Sequence, residues 1–194
     1  MGTIVSNFFI SMDGVVEAPD QWHFPYFDDA MGRIVGEGMQ DQSGMMMGRR
    51  LYDEWSEYWP AQGAEVPFSS YINEVPKYVL THRPLDEPVW SGTTALTGDD
   101  VAGQVRALKE RSEGTIGMSG CATTVRWLIS QGLLDELALL VHPIAVAKGQ
   151  RLFEDTGTVP LELLSSETLP SGVIFVRYRP AGSAAKPSGA STIN

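Results

Sequence analysis

The order of residues predicts an α/β fold: a mixed, mainly parallel central sheet flanked by helices, with an antiparallel C-terminal hairpin. Three observations carry that expectation. Short apolar or β-branched runs alternate with stretches whose apolar residues recur at helical spacing, up to about residue 144. The first run, Thr3 to Ile10, lacks clean alternation, as expected of a central strand covered on both faces. Beyond residue 144 the chain turns β-rich, and two strand candidates flank Pro170-Ser171-Gly172.

The elements follow in order. After Thr3–Ile10, Asp13-Gly14 turns the chain. From Phe27 the apolar residues Phe27, Met31, Ile34 and Val35 fall on one helical face, with Asp28 and Asp29 in the first turn, where the helix dipole favours anions. Met45-Met46-Met47 is a short strand before Gly48, and Leu51, Trp55 and Tyr58 share a helix face that must end at Pro60. Lys77 to Thr81 is the next strand, closed by Pro84. Asp99 or Asp100 caps a helix carrying Val101, Val105 and Leu108. Thr115 to Met118 is a strand. Ser119-Gly120 leads from it into a helix that presents Val125, Leu128 and Ile129 inward and ends at Gly132. Leu137 to Ile144 is a strong strand in which Pro143 demands an edge, a bulge or a bend. Residues 161–169 and Val173 to Tyr178 pair as the terminal hairpin. One domain thus spans residues 1–180. The tail 181–194, built from Ala, Ser, Gly and Pro with one Lys, has too little apolar surface to order itself.

Composition narrows the function. The 194 residues suffice for one domain with its own core, and 43% hydrophobic with 20% charged residues excludes a disordered class. A formal net charge of −10 repels polyanions, so no nucleic-acid partner is expected, although a few gathered arginines still suit a phosphorylated cofactor. The single cysteine, Cys121, cannot form an intrachain disulfide and fits a reducing compartment. The first residues carry no secretion signal, and no apolar run approaches the roughly 20 residues of a membrane span. A cytoplasmic protein without membrane contact is the expectation. One Cys and three His residues, not at ligand spacing, predict no metal.

Three segments have the chemistry of anion binding. Gly48-Arg49-Arg50 joins a strand to a helix N-terminus, where backbone N–H groups and a guanidinium suit a phosphate; the other reading is solvated surface charge. Thr81-His82-Arg83, just past a strand end, offers a hydroxyl and cations, or else a polar turn before Pro84. Gly120-Cys121-Ala122-Thr123 places a glycine and small residues at a strand-to-helix turn, which lets backbone approach a pyrophosphate. Cys121 itself reads as a small residue at a crowded turn, since no base has reason to sit beside it. Asp13 reads as a turn-former, and Asp28 as either a helix-start charge or an acid. His23 and His142 are the side chains that could titrate near neutrality, with His142 in an apolar strand reading as a hydrogen-bonded core residue.

Set in this order, Ser11-Met12-Asp13-Gly14, Gly48-Arg49-Arg50-Leu51-Tyr52 and Val79-Leu80-Thr81 resemble the dihydrofolate reductase-like superfamily. Gly120-Cys121-Ala122-Thr123, Gly132 through Leu137, Leu140-Val141-His142-Pro143 and Gly149-Gln150-Arg151-Leu152-Phe153 are similar to the reductase domain of bacterial riboflavin biosynthesis and its stand-alone relatives. The resemblance covers roughly residues 3–179. It implies a dihydrofolate reductase-like sheet, NADPH as cofactor, a small-molecule substrate and a homodimer. Cofactor contacts are expected at Phe9, Ile10, Gly48, Arg49, Arg50, Thr81, His82, Arg83, Gly120, Cys121, Ala122 and Thr123, with Arg49 and Arg83 near a 2′-phosphate. Ser11, Trp22 and Phe27 are expected to border the substrate. Asp28 is the expected acid, raised into the working range by apolar neighbours, although it falls one residue, about 100° of helical rotation, beyond the carboxylate of classical dihydrofolate reductases. The implied reaction is hydride transfer from NADPH to a C=N, C=C or C=O bond of a pterin- or pyrimidine-like substrate. The rival is a non-catalytic nucleotide- or pterin-binding protein that kept the fold and lost the proton donor.

Overall fold

The computed structural model describes residues 1–40 and 42–181, so the expected tail past Ala181 lies outside the described residues. The elements are β1 (Thr3–Ser11), α1 (Asp29–Gln40), β2 (Gln42–Gly48), α2 (Arg49–Tyr58), α3 (Ser69–Glu74), β3 (Lys77–Leu80), β4 (Thr93–Leu96), α4 (Val101–Arg111), β5 (Thr115–Ser119), α5 (Ala122–Ser130), β6 (Glu136–His142), β7 (Leu161–Thr168) and β8 (Ile174–Pro180). The strands form one sheet in the order β4-β3-β2-β5-β1-β6-β8-β7. From β4 to β6 every neighbour is parallel, whereas β8 runs antiparallel to both β6 and β7. This is the α/β sheet with a terminal hairpin that the sequence predicted.

Alternation across the sheet explains the apolar runs. Met46 packs with Ile4, Phe8, Ile116, Val125 and Leu128 between the sheet and α4 and α5. Met45 and Met47 point the other way, joining Tyr52, Val79 and Trp90 under α2 and α3. A second cluster on that face sets Met31 of α1 against Leu140, Leu169 and Val173. A strand buried on both faces needs apolar residues at consecutive positions, and the three methionines supply them.

Several ends fall where the local chemistry puts them. Asp100 accepts the Gly103 N–H at 2.8 Å and caps α4. Gly132, at φ +64°, closes α5 by donating to Ile129 O, while Leu133 N–H reaches back to Leu128 O, the paired bonds of a Schellman end. Other ends differ from expectation. β6 stops at His142 and excludes Pro143, which has no N–H to offer a ladder. The first helix starts at Asp29, because Asp28 is its cap and Phe27 is extended at φ −76° and ψ 113°. The four-residue edge strand β4 and the six-residue α3 had no periodicity long enough to announce them. No helix among the described residues is long and apolar enough to cross a membrane.

A candidate dinucleotide cleft and aromatic enclosure

Parallel strands send all their C-terminal ends to one rim, and there the expected anion-binding segments meet. β2 and β5 are neighbours, so the N-termini of α2 and α5 stand side by side. The Gly48 N–H donates to Cys121 Sγ at 3.3 Å. A Cβ on Gly48 would lie 2.5 Å from Thr124 Oγ1, so a side chain there would force the Thr124 hydroxyl or the helix carrying it to shift. Gly120 and Cys121, at φ +68° and +61°, are both left-handed and swing the chain from β5 into α5. A Cβ on Gly120 would meet nothing within 4 Å, so the space in front of this turn is open. Two helix N-termini beside an open glycine turn have the donors and the room to accept a pyrophosphate-sized anion. Burial pushes the Cys121 thiol up to about 11, which leaves it protonated and unreactive at neutral pH.

Beside the turn lies a cleft of about 420 Å³, walled by Thr81 and His82 after β3, Asp99 and Asp100 before α4, and Thr123 and Trp127 on α5. The Thr81 hydroxyl is already engaged, donating to Arg83 O at 2.8 Å and accepting from Arg83 N–H, so it builds the turn. Arg49 sits at the edge of this turn. Its Nε donates to Asp53 at 2.6 Å, Nη1 to Pro84 O at 2.6 Å and Nη2 to Asp86. Arg83 is largely exposed and lies 3.5 Å from Asp53. Arg50 does not join the group: its side chain is 83% exposed and pairs with Glu54. Ala122 is buried, and Thr123 Oγ1 accepts from Arg126.

On the α1 face, the ends of β1 and β6 carry an aromatic enclosure. Phe9 stacks on His23 with centroids 4.4 Å apart and planes 18° apart. His142 meets Trp22 edge-on at 5.2 Å, Tyr26 at 5.7 Å and His23 at 6.1 Å. Phe27 closes on His23 at 5.9 Å. Trp22, His23 and His142 are buried, at 8%, 7% and 0% exposure. His142 Nδ1 bonds Leu140 O at 2.8 Å, which places the proton on Nδ1 and leaves Nε2 as a bare acceptor. That Nε2 and His23 Nδ1 are buried with no hydrogen-bond partner. Burial holds both imidazoles below their ordinary value, and for His23 the neighbouring His142 adds to it. Of the expected first-strand residues, only Phe9 turns its side chain into this enclosure. Ile10 packs into the core on the opposite face, and the Ser11 hydroxyl donates to Asp13 and accepts from Val15 N–H. The contact between the two histidines is the feature that sequence reasoning missed, because nothing local in the sequence brings residues 23 and 142 together.

Asp28 corrects an expectation. Its Oδ1 accepts the Met31 N–H at 2.8 Å and its Oδ2 the Ser171 N–H at 3.0 Å. The Met31 bond, with lesser help from Ser171, holds the carboxyl below its usual range, against the burial that was expected to raise it. Asp13 is likewise a turn-builder, lowered to about 2 by Ser11 and the Val146 and Ala147 amides. A second groove of similar volume runs along α1, but its charged groups answer one another: Arg33 with Glu37 and Glu167, and Arg177 with Glu136. Among the described residues no three His, Cys, Asp or Glu side chains are placed to hold a metal.

Comparison with known proteins agrees with the fold. The family described as the RibD C-terminal domain matches residues 2–175. The uncharacterised protein YyaP of Bacillus subtilis is 24% identical over 182 residues, covering 90% of this chain and 93% of its own. A putative riboflavin biosynthesis protein from Shewanella sp. PV-4 superposes with a TM-score of 0.70 at 16% identity, over 92% of this chain and 98% of that one. A pyrimidine reductase-like protein from Corynebacterium diphtheriae gives 0.65 at 14% identity, over 92% of each chain. The dihydrofolate reductase of Enterococcus faecalis complexed with NADP(H) gives 0.61 at 14% identity, over 93% and 97%. At these identities the solved structures establish a shared dihydrofolate reductase-like fold.

Proposed function

The chain belongs to the RibD C-terminal domain family, and from that premise we propose that it is an NADPH-dependent reductase acting on a small pterin- or pyrimidine-like substrate. The observation that carries the reading is the pair of helix N-termini held together at Gly48 and Cys121 in front of the open Gly120 turn. This donor set fits a dinucleotide: backbone N–H groups for the pyrophosphate, the cleft from Thr81 to Trp127 for the adenosine, and Arg49 for a 2′-phosphate. When bound, the cofactor supplies the hydride for a C=N, C=C or C=O bond. The protein's share is positioning and exclusion of water. Phe9 offers a flat apolar face, and Trp22, His23 and Phe27 wall the substrate side. Asp28, ionised at neutral pH and held by two amides, is a poor proton donor, so the proton comes from solvent.

That same engagement of Asp28 favours the second reading, a nucleotide- or pterin-binding protein without catalysis. One experiment separates them. NADPH fluorescence is titrated with the purified protein, then dihydropterins and deaminated aminouracils are screened for loss of NADPH absorbance. Binding with turnover supports the reductase; binding without turnover on the whole panel supports the second reading. Absence of NADPH binding overturns the reductase, and absence of binding to the pterin and pyrimidine panel as well overturns the second reading. A homodimer is part of the proposal, with exposed Leu163, Leu164 and Ile174 on the terminal hairpin as the apolar surface it would cover.

A further inference from the structure

We propose that Asp86 is a built-in competitor for the cofactor's 2′-phosphate, holding the outer edge of the Arg49 guanidinium until the phosphate displaces it. The inference rests on the nicotinamide reading above and adds to it the residue that sets how strongly a phosphorylated dinucleotide is preferred.

Arg49 is not a loose surface cation. Its side chain is only 12% exposed, and two anchors fix the plane of its fork. Asp53, one turn along α2, takes Nε, and the Pro84 carbonyl takes Nη1. What remains is the Nη2 edge, and Asp86 covers it. The third partner differs in kind from the first two, because the Asp86 side chain is 87% exposed. A carboxylate that exposed is rehydrated when it lets go, so leaving costs it little. A phosphate monoester carries more negative charge and three acceptor oxygens, and so outcompetes one exposed carboxylate for a preset guanidinium edge.

Local charge makes the displacement necessary. Arg49 and Arg83 face Asp53 and Asp86, two cations against two carboxylates, so the cluster is neutral as it stands. The cleft wall beside it adds Asp99 and Asp100 and contributes no lysine or arginine. A 2′-phosphate arriving with Asp86 in place meets no net positive charge. With Asp86 turned to solvent, it meets an unmatched guanidinium. A dinucleotide bearing a 2′-hydroxyl makes no such demand, so Asp86 acts on one cofactor and leaves the other alone.

The test is a fluorescence titration of NADPH and of NADH into wild type, Asp86→Asn, Asp86→Ala, Arg49→Ala and the double variant Arg49→Ala/Asp86→Asn. Removing an exposed competitor should tighten NADPH by about two- to fivefold in both Asp86 variants, leave NADH unchanged, and have no effect once Arg49 is gone. Far-ultraviolet circular dichroism checks each fold. If wild type binds NADPH and neither Asp86 variant binds it more tightly, the competitor role is overturned. Equal tightening of NADPH and NADH, or tightening that persists without Arg49, also overturns it, because Asp86 is then only diffuse charge. Failure of wild type to bind either cofactor overturns the nicotinamide reading and this inference with it, an outcome distinct from the others.

Discussion

The carboxylates of Asp13 and Asp28 both end on backbone N–H groups, and this sets their response to acid. For Asp13, lowered from 3.8 to about 2, the ionised form stabilises the fold at any pH above the unfolded value. That contribution is lost as pH falls from about 3.8 towards 2. The protection of the Val146 and Ala147 amides, measured as exchange relative to the unstructured rate at each pH, should therefore fall across that window in wild type and be low throughout in Asp13→Ala. The buried histidines work in a higher range. Both imidazoles are held below 6.5 in the fold, so below that pH the unfolded chain takes up protons first and stability is lost as pH falls. The thermal midpoint should drop as pH falls below 6.5, and His142→Leu should flatten that drop; equal slopes would mean that His142 has an ordinary proton affinity. Asp28→Asn retains a capping side chain and should fold normally. Turnover within about threefold of wild type is expected, whereas a hundredfold loss with unchanged NADPH affinity would restore Asp28 as the acid.

Between neighbouring elements, two glycines separate clearance from conformation. Gly48 has ordinary φ, and what it supplies is room: a methyl there would strike Thr124 on α5. Gly48→Ala should push the two helix N-termini apart and weaken NADPH at least tenfold while the circular dichroism spectrum is kept. Gly120 has room but needs a left-handed backbone, which costs an alanine about 1–2 kcal/mol. Gly120→Val should abolish NADPH binding in a chain that still folds, because the side chain fills the space proposed for the pyrophosphate. Normal NADPH binding by that variant would remove the phosphate from this turn. The glycine was legible in sequence as a turn residue. The side-by-side placement of α2 and α5 was not, because it depends on β2 pairing with β5 rather than with its sequence neighbours β1 and β3 alone.

At the scale of the molecule, the sheet has two unlike edges. β4 is short, but β7 is eight residues long and presents Leu163 at 55% and Leu164 at 38% exposure. If that edge is the homodimer surface, light scattering should give twice the chain mass for wild type, and Leu163→Lys with Leu164→Lys should return it to the monomer. A monomeric wild type would remove the dimer from the proposal. The sequence by itself determined the alternation of strands and helices, the terminal hairpin, a cap at Asp99 or Asp100, the stop at Gly132, and three segments with the chemistry of anion binding. Each is a local property, written in periodicity, turn chemistry or a cap within a few residues. Tertiary structure alone decided which of those groups still have a hand free. Arg49 is anchored by Asp53 and Pro84 and offers only the edge that exposed Asp86 covers, Thr81 is spent on its own turn and Asp28 on two amides, while His23 and His142 are brought together with nitrogens to spare. Such outcomes depend on partners dozens of residues away, and only the closing of the sheet brings those partners within hydrogen-bonding distance.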